Sequence, residues 1–392
     1  MYPNSFLKPN WILIAGMLLI FMFAGCTSNN DIEPTIQEPV KKVETPKNEV
    51  PVEKPEVEQQ IIKNESKAIE ENKTTAAPVK EEPIIERGTI DPDFEVVTYN
   101  WEKTEFGTTI FGDNHISGKP RIIEVNMLGE IVWKYDLPSE WSQYTNPGFD
   151  VEVLKSNNIL FVLPRKGVFE IDRSGKIVWS YLDSKISHDA DRLENGNTIF
   201  AFGAYDEQND VQVKEVDKNG KIVWSWSAKS AFIDEQYKSI SDQGWTHTNA
   251  VIRLDNGNTL LSMRNFNLLA EIDPSGRLVR TIENDKFYYQ HDPEVEGNGT
   301  ILMANHVTPN EVIEIDKEGN ILWKYIIREK ESWPVRDADR LANGNILVTG
   351  TDRITEITRD REIVWDFRIR NAQFTKETAA ARGFYKAERI AK

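Results

Sequence analysis

Between Ala24 and Asp93 the 392-residue chain contains no phenylalanine, tyrosine or tryptophan. The segment is a mixture of Glu, Lys, Pro, Val, Thr and Asn. Such a composition buries too little apolar surface to offset the entropy of ordering, so residues 27–88 read as a disordered linker. Cysteine is nearly absent as well. Cys26 is the only one, which excludes an intrachain disulfide and any cysteine-based zinc or iron–sulfur site. The apolar run from Trp11 to Ala24 would extend ~21 Å as a helix, short of the ~30 Å hydrocarbon core of a bilayer. An excess of positive charge is missing too: the net charge is −16. The stretch 27–87 holds 9 basic against 14 acidic residues and Lys8 adds one positive charge, leaving about −12 on the remainder. Nucleic acid is therefore excluded as the main partner, since phosphate binding needs a basic surface.

The amino terminus has the order expected of an export signal, with Lys8, then an apolar stretch, then small residues. Phe23-Ala24-Gly25-Cys26 resembles the lipobox of prokaryotic lipoproteins. Residues 1–26 are thus expected to be a signal peptide with Cys26 as the lipid attachment point, an uncleaved anchor being the alternative. In either case the chain is expected outside the cytoplasm on a membrane tether. The linker would give it a root-mean-square reach of roughly 40–50 Å.

From residue 89 to 392 one phrase recurs. Examples are VFEIDRSGKIVWSY (168–181) and VKEVDKNGKIVWSW (213–226): a short apolar strand, Asp, a turn with Gly, then Ile-Val-Trp. Tryptophan falls at 133, 179, 224, 323 and 365, and Arg280 takes its place in one copy, with spacings of 42–56 residues. Most copies are preceded by two further apolar runs joined by Asn-Gly, a strong signal for a tight hairpin because both central residues take positive φ. Four strands per unit at this period specify a β-propeller, and six units specify six blades. The fold class is all-β: six four-stranded antiparallel blades behind a disordered tail. The first, innermost strand of the first blade (its strand A) is placed at Glu95–Trp101. Thr375–Ile390 is read as helical, so no exchanged closing strand is expected from it. The recurrent Asp-x-x-Gly turns offer one carboxylate each, which fits turn chemistry better than a calcium loop.

In a propeller the first strand of each blade lines the central channel. His188, His247 and His291 begin that strand in three consecutive blades, out of five histidines in the chain. Arg264 ends the second strand of the middle one of these blades and so belongs to the same mouth. One reading makes these histidines repeat residues with a shared hydrogen-bonding job. The other makes them a site, and their convergence favours it. The Asp and Arg of Asp189-Ala190-Asp191-Arg192 and Asp337-Ala338-Asp339-Arg340 are assigned to the scaffold.

The phrase from Trp245 through His247, Asn249, Arg264 and Asp273 to His291-Asp292 resembles the bacterial arylsulfotransferases. These are exported six-bladed propellers that move sulfate between phenols without a nucleotide donor. The resemblance implies that His291 is the nucleophile forming a sulfohistidine. It further implies that His247, Arg264 and His188 bind and polarise the sulfuryl group. Trp245, Asn249, Asn305 and His306 are the expected substrate contacts. Partners would be a small aryl sulfate and a phenolic acceptor, with no cofactor and no metal. The residue chemistry agrees: clustered imidazoles hold one another unprotonated, and a planar guanidinium stabilises charge on equatorial oxygens. The insertion Lys229–Gly244 is expected to form a lid carrying Phe232 and Tyr237. Trp141, Trp245 and Trp333 either line an aromatic pocket or pack. Two other functions stay open: a non-catalytic tethered propeller, and a quinone-dependent dehydrogenase, which would require eight blades.

Overall fold

The computed structural model describes residues 81–392 apart from 147, 204, 328–333, 373 and 375–381. The expected export signal, Cys26, nearly all of the expected linker and Trp333 therefore lie outside the described residues. Among those described, no helix is long and apolar enough to cross a membrane.

Six antiparallel sheets form the ring. Blades 2 to 6 begin at their inner edge with Val151–Val153, Ala190–Arg192, Thr248–Arg253, His291–Val295 and Val335–Arg340. Blade 1 takes its inner strand from the far end of the chain. Phe384–Ala391 pairs antiparallel with Gly107–Asp113, so the expected helix over Thr375–Ile390 is instead, where described, a closing strand. Gly107 permits this pairing, since a Cβ there would meet the Ile390 carbonyl oxygen at 2.1 Å. The segment expected as strand A of blade 1 lies elsewhere. Phe94–Tyr99 is the fifth, outermost strand of blade 6, paired with Ile363–Ile369. The two ends of the described chain thus close the ring from opposite edges. The count of six also removes the eight-bladed quinone alternative.

Why these repeats stack is visible at each interface. The buried apolar residues fall into six clusters, one between each pair of neighbouring blades. The repeat tryptophans, on the fourth strand of their blades, donate their indole N–H to a turn carbonyl of the next blade, as from Trp133 to Arg173 (2.9 Å) and Trp365 to Met127 (2.9 Å). Where Arg280 replaces tryptophan, its Nη1 makes the equivalent bond to the Lys317 carbonyl at 2.7 Å. The inner-strand arginine of one blade reaches back to the preceding blade. Arg192 pairs with Glu170 at 2.8 Å and lies 4.8 Å over Trp179, and Arg253 repeats this with Glu215 and Trp224.

The inner strands have edges with unpaired N–H groups, and the carboxylates of the repeat satisfy them. Ala190 N–H donates to Asp150, Val251 N–H to Asp189 and Ala387 N–H to Asp337, each across a blade boundary. One turn of the pattern further along, Arg192, Arg340 and Val153 donate to Glu152, Glu294 and Glu388. The assignment of Asp and Arg to the scaffold is what the contacts show. The Asp-x-x-Gly turns likewise use their carboxylate locally: Asp172 accepts from the N–H groups of Ser174 and Lys176 at 2.9 and 3.1 Å.

Candidate active site

The sequence template for an inner strand is one variable residue followed by a polar residue and a small one. It reads Phe149-Asp150-Val151, His188-Asp189-Ala190, His291-Asp292-Pro293 and Arg336-Asp337-Ala338, with Tyr385-Lys386-Ala387 on the closing strand. In blade 4 it is shifted by one residue, and His247 precedes the strand with φ of +46°. The ring therefore brings His188, His247, His291, Arg336 and Tyr385 to one mouth of the channel. His188 and His291 lie 5.8 and 6.4 Å from the Tyr385 ring centre, and the Arg336 guanidinium lies 5.5 Å from it.

Hydrogen bonds assign the imidazole protons. The Nδ1 of His291 is 2.8 Å from the Tyr289 carbonyl oxygen, so it carries the proton and leaves a lone pair on Nε2. Among the described residues no hydrogen bond reaches that Nε2. The Nδ1 of His247 faces the Gln243 carbonyl at 3.2 Å, so its Nε2 accepts from the Nε2–H of His188 at 3.3 Å. The remaining His188 nitrogen bonds the Ser187 hydroxyl. His306 donates from Nε2 to the Val335 carbonyl at 2.6 Å and stacks on His291 with centroids 4.1 Å apart.

Burial keeps all four rings neutral. Desolvation is the leading cause in each case, reinforced by neighbouring positive charge. His188 and His291 are held well below the ordinary value of 6.5, and His247 and His306 are pushed down to about 3. Arg264 and Arg336 both contribute to the depression of His188, His291 and His306, which places both guanidiniums on the same cluster.

Arg264 follows the second strand of blade 4 as expected and is held on three sides. Its Nη1 bonds Asn265 Oδ1 at 2.7 Å and lies 3.5 Å from Asp242, and its guanidinium stacks 3.7 Å over Tyr289. The Tyr289 hydroxyl donates to Asp242 at 2.9 Å. Desolvation and that contact raise its ionisation to about 12. The insertion Lys229–Gly244 thus reaches the site through Asp242 and Gln243 rather than through its aromatics. Phe232 is buried between blades 3 and 4, and Tyr237 packs on Phe266 at 4.5 Å.

The other residues expected at substrate divide by place. His306 is in the cluster. Asn249 supports it, donating from Nδ2 to the Gln290 carbonyl at 2.9 Å immediately before His291. Asn305 binds the backbone of Lys286 and Tyr288 and so shapes the loop leading to Tyr289. Trp245 is core: its indole is buried against Phe266 and donates to the Tyr237 carbonyl at 2.8 Å. Trp141 packs on Phe169. Asp206, not expected, anchors His247 by accepting from its N–H and from Thr246. Gly148 makes room for His188, because a Cβ there would lie 2.7 Å from the His188 Cα.

Residues 95–290, half of the chain, match the arylsulfotransferase (ASST) family. The chain belongs to the arylsulfotransferase family. The matched span holds His188, His247 and Arg264 and ends one residue before His291. No curated protein matches the chain in sequence. Among solved structures, a protein of unknown function from Bacteroides caccae superposes with a TM-score of 0.50 at 18% identity, over 66% of this chain and 93% of that one. The virginiamycin B lyase of Staphylococcus aureus gives 0.46 at 13% identity, over 72% of this chain and 90% of its own. At these identities the likeness concerns the fold alone.

Proposed function

We propose that this arylsulfotransferase family member transfers a sulfuryl group from an aryl sulfate to a phenolic acceptor through a sulfohistidine at His291. The observation that carries the reading is the Nε2 of His291, which the Tyr289 carbonyl leaves unprotonated and which has no hydrogen bond among the described residues, in a cluster with Arg264, Arg336 and the neutral rings of His188 and His306. In the first half-reaction Nε2 attacks sulfur, the sulfur–aryl oxygen bond breaks, and the bonding pair leaves on the aryl oxide. The imidazolium formed keeps its Nδ1–H on the Tyr289 carbonyl, which stabilises the developing charge. In the second half, a phenol oxygen attacks sulfur, gives up its proton, and the nitrogen–sulfur bond returns its pair to Nε2. The phenol proton passes to solvent, because the nitrogens of the His188–His247 pair are already bonded to each other, to the Gln243 carbonyl and to the Ser187 hydroxyl, and both rings are poor bases. Two half-reactions at one nucleophile imply ping-pong kinetics.

The test is release of nitrophenolate from 4-nitrophenyl sulfate with and without a phenol acceptor. Acceptor-dependent release that disappears in His291→Asn supports the reading. Absence of turnover across a broad panel of aryl sulfates removes it and leaves a binding module. Export on a lipid tether at Cys26 is proposed alongside, from the signal-like amino terminus. Cys26→Ser should then move the protein from the membrane fraction to the soluble one, and unchanged association would point to an uncleaved anchor.

A further inference from the structure

The pocket contains two guanidiniums that are not equivalent. Arg264 is already engaged by Asn265, Asp242 and Tyr289. Arg336 has, among the described residues, neither a carboxylate within ion-pair distance nor a hydrogen bond. Its one partner is the face of Tyr385, and it sits on the inner strand of blade 6 at the position His188 and His291 occupy in theirs. Its neighbours in the mouth are the neutral imidazoles and Arg264, so the positive charge there is uncompensated. Arg336 is half-buried, and a partly desolvated guanidinium without a counter-charge is completed favourably by an anion. The charge count is also informative. Among the described residues Asp242 offsets Arg264 and the four imidazoles are neutral, so one positive charge remains open. A sulfate monoester carries one negative charge, whereas a phosphate monoester carries close to two near pH 7.

We infer that Arg336 is the guanidinium that anchors the transferable anion, and that the Asp242–Arg264 pair restricts the pocket to singly charged esters, selecting aryl sulfates over aryl phosphates. This rests on the reading of the site as a sulfuryl-transfer centre. It departs from the role that family resemblance assigns to Arg264 and adds a residue outside the matched span. In this arrangement Arg264 orients Tyr289, whose carbonyl sets the His291 tautomer, and Arg336 contacts the sulfuryl oxygens directly. The Tyr385 hydroxyl, on the closing strand between His188 and His291, is a donor toward the same oxygens. Burial raises its ionisation far above neutrality, so it keeps its proton.

The experiment is calorimetric binding of 4-nitrophenyl sulfate and 4-nitrophenyl phosphate to the full chain in a His291→Asn background, where no turnover occurs. Arg336→Gln should weaken the sulfate ester roughly 10–100-fold, the range for losing a charged hydrogen-bond donor, and Arg336→Lys should recover part of it. Asp242→Asn should raise the affinity for the phosphate ester at least about tenfold relative to the sulfate ester, because it opens a second positive charge. Asp242 is 51% exposed, so that variant tests the charge count even if Arg336→Gln folds poorly. Sulfate-ester affinity unchanged in folded Arg336→Gln, or an unchanged ester preference in Asp242→Asn, overturns the inference. The outcomes separate it from the activity. Arg336-dependent binding by a wild-type protein without turnover would retain the anchor and reject the transferase reading. Turnover indifferent to Arg336 would do the reverse.

Discussion

On the proposed mechanism the nucleophile is the Nε2 of His291, and the Tyr289 carbonyl selects the tautomer that leaves its lone pair free. The same burial that hides the ring keeps it unprotonated, and the consequence is measurable. A base whose pKa is lowered stays neutral above the lowered value, so acid must go well below the ordinary 6.5 before the nucleophile is lost. The pH profile of kcat/KM for 4-nitrophenyl sulfate should therefore show no protonation limb near 6.5. A limb there would mean that the rings are solvated in the working protein. At this scale the sequence was informative about histidine and silent about Arg336 and Tyr385. Three histidines could be placed because each opens an inner strand. Arg336 stands before Asp-Ala-Asp-Arg, a phrase with a scaffold role that masks it in the sequence. Tyr385 lay in a segment rich in Ala, Glu, Lys and Arg, residues that favour helix in isolation. The unpaired edge of Gly107–Asp113 overrides that preference, which only the folded ring reveals.

The blade interface is the element that the repeat encodes, and its parts are graded by burial. Trp365 is fully buried, bonded to Met127, and covered by Arg389 at 4.8 Å. Trp365→Ala should cost about 3–5 kcal/mol in urea unfolding, the range for deleting a large buried aromatic. Trp179 is only partly buried, and Trp179→Ala should cost about 1 kcal/mol. Equal losses at the two sites would show that the indole hydrogen bond, common to both, outweighs burial. The inner strands carry a second encoded feature, the carboxylates that accept edge N–H groups. Burial, with nearby carboxylates adding, raises Glu152 and Glu294 to about 7, so both hold a proton in the folded ring that the unfolded chain releases near 4.5. Their contribution is full below 4.5 and is lost as pH rises through about 7. The double variant Glu152→Gln/Glu294→Gln keeps the amide oxygens as acceptors. It should gain stability over wild type at pH 8 relative to pH 5. The buried histidines act in the opposite sense below 6.5 in both proteins and cancel, so the comparison reads the two glutamates together with Asp191 and Asp339, whose protons they help to hold. A constant difference across that window would contradict it.

At the scale of the molecule, blade number was legible from the period because each Trp-bearing strand marks one unit. Closure was not, because Phe94–Tyr99 and Phe384–Ala391 are both competent strands and the sequence does not say which edge each will meet. The structure uses both, one at the rim of blade 6 and one at the axis of blade 1. The closing strand holds the fold and the site together. Phe384 packs with Phe111 and Phe367, Tyr385 stands in the mouth, and the Lys386 Nζ lies 3.3 Å from Asp292, the neighbour of His291. Ending the chain at Gly383 should remove the cooperative thermal transition along with activity. A truncated protein that still melts as one unit would show that the ring closes without its last strand. The central claim is a covalent one, and it can be read directly. Wild-type protein incubated with 4-nitrophenyl sulfate without acceptor, quenched and digested, should yield a peptide spanning His291 heavier by one sulfuryl group. That mass should vanish when phenol is added before the quench. The modification on another residue, or none at all in a protein that turns over, would contradict the account.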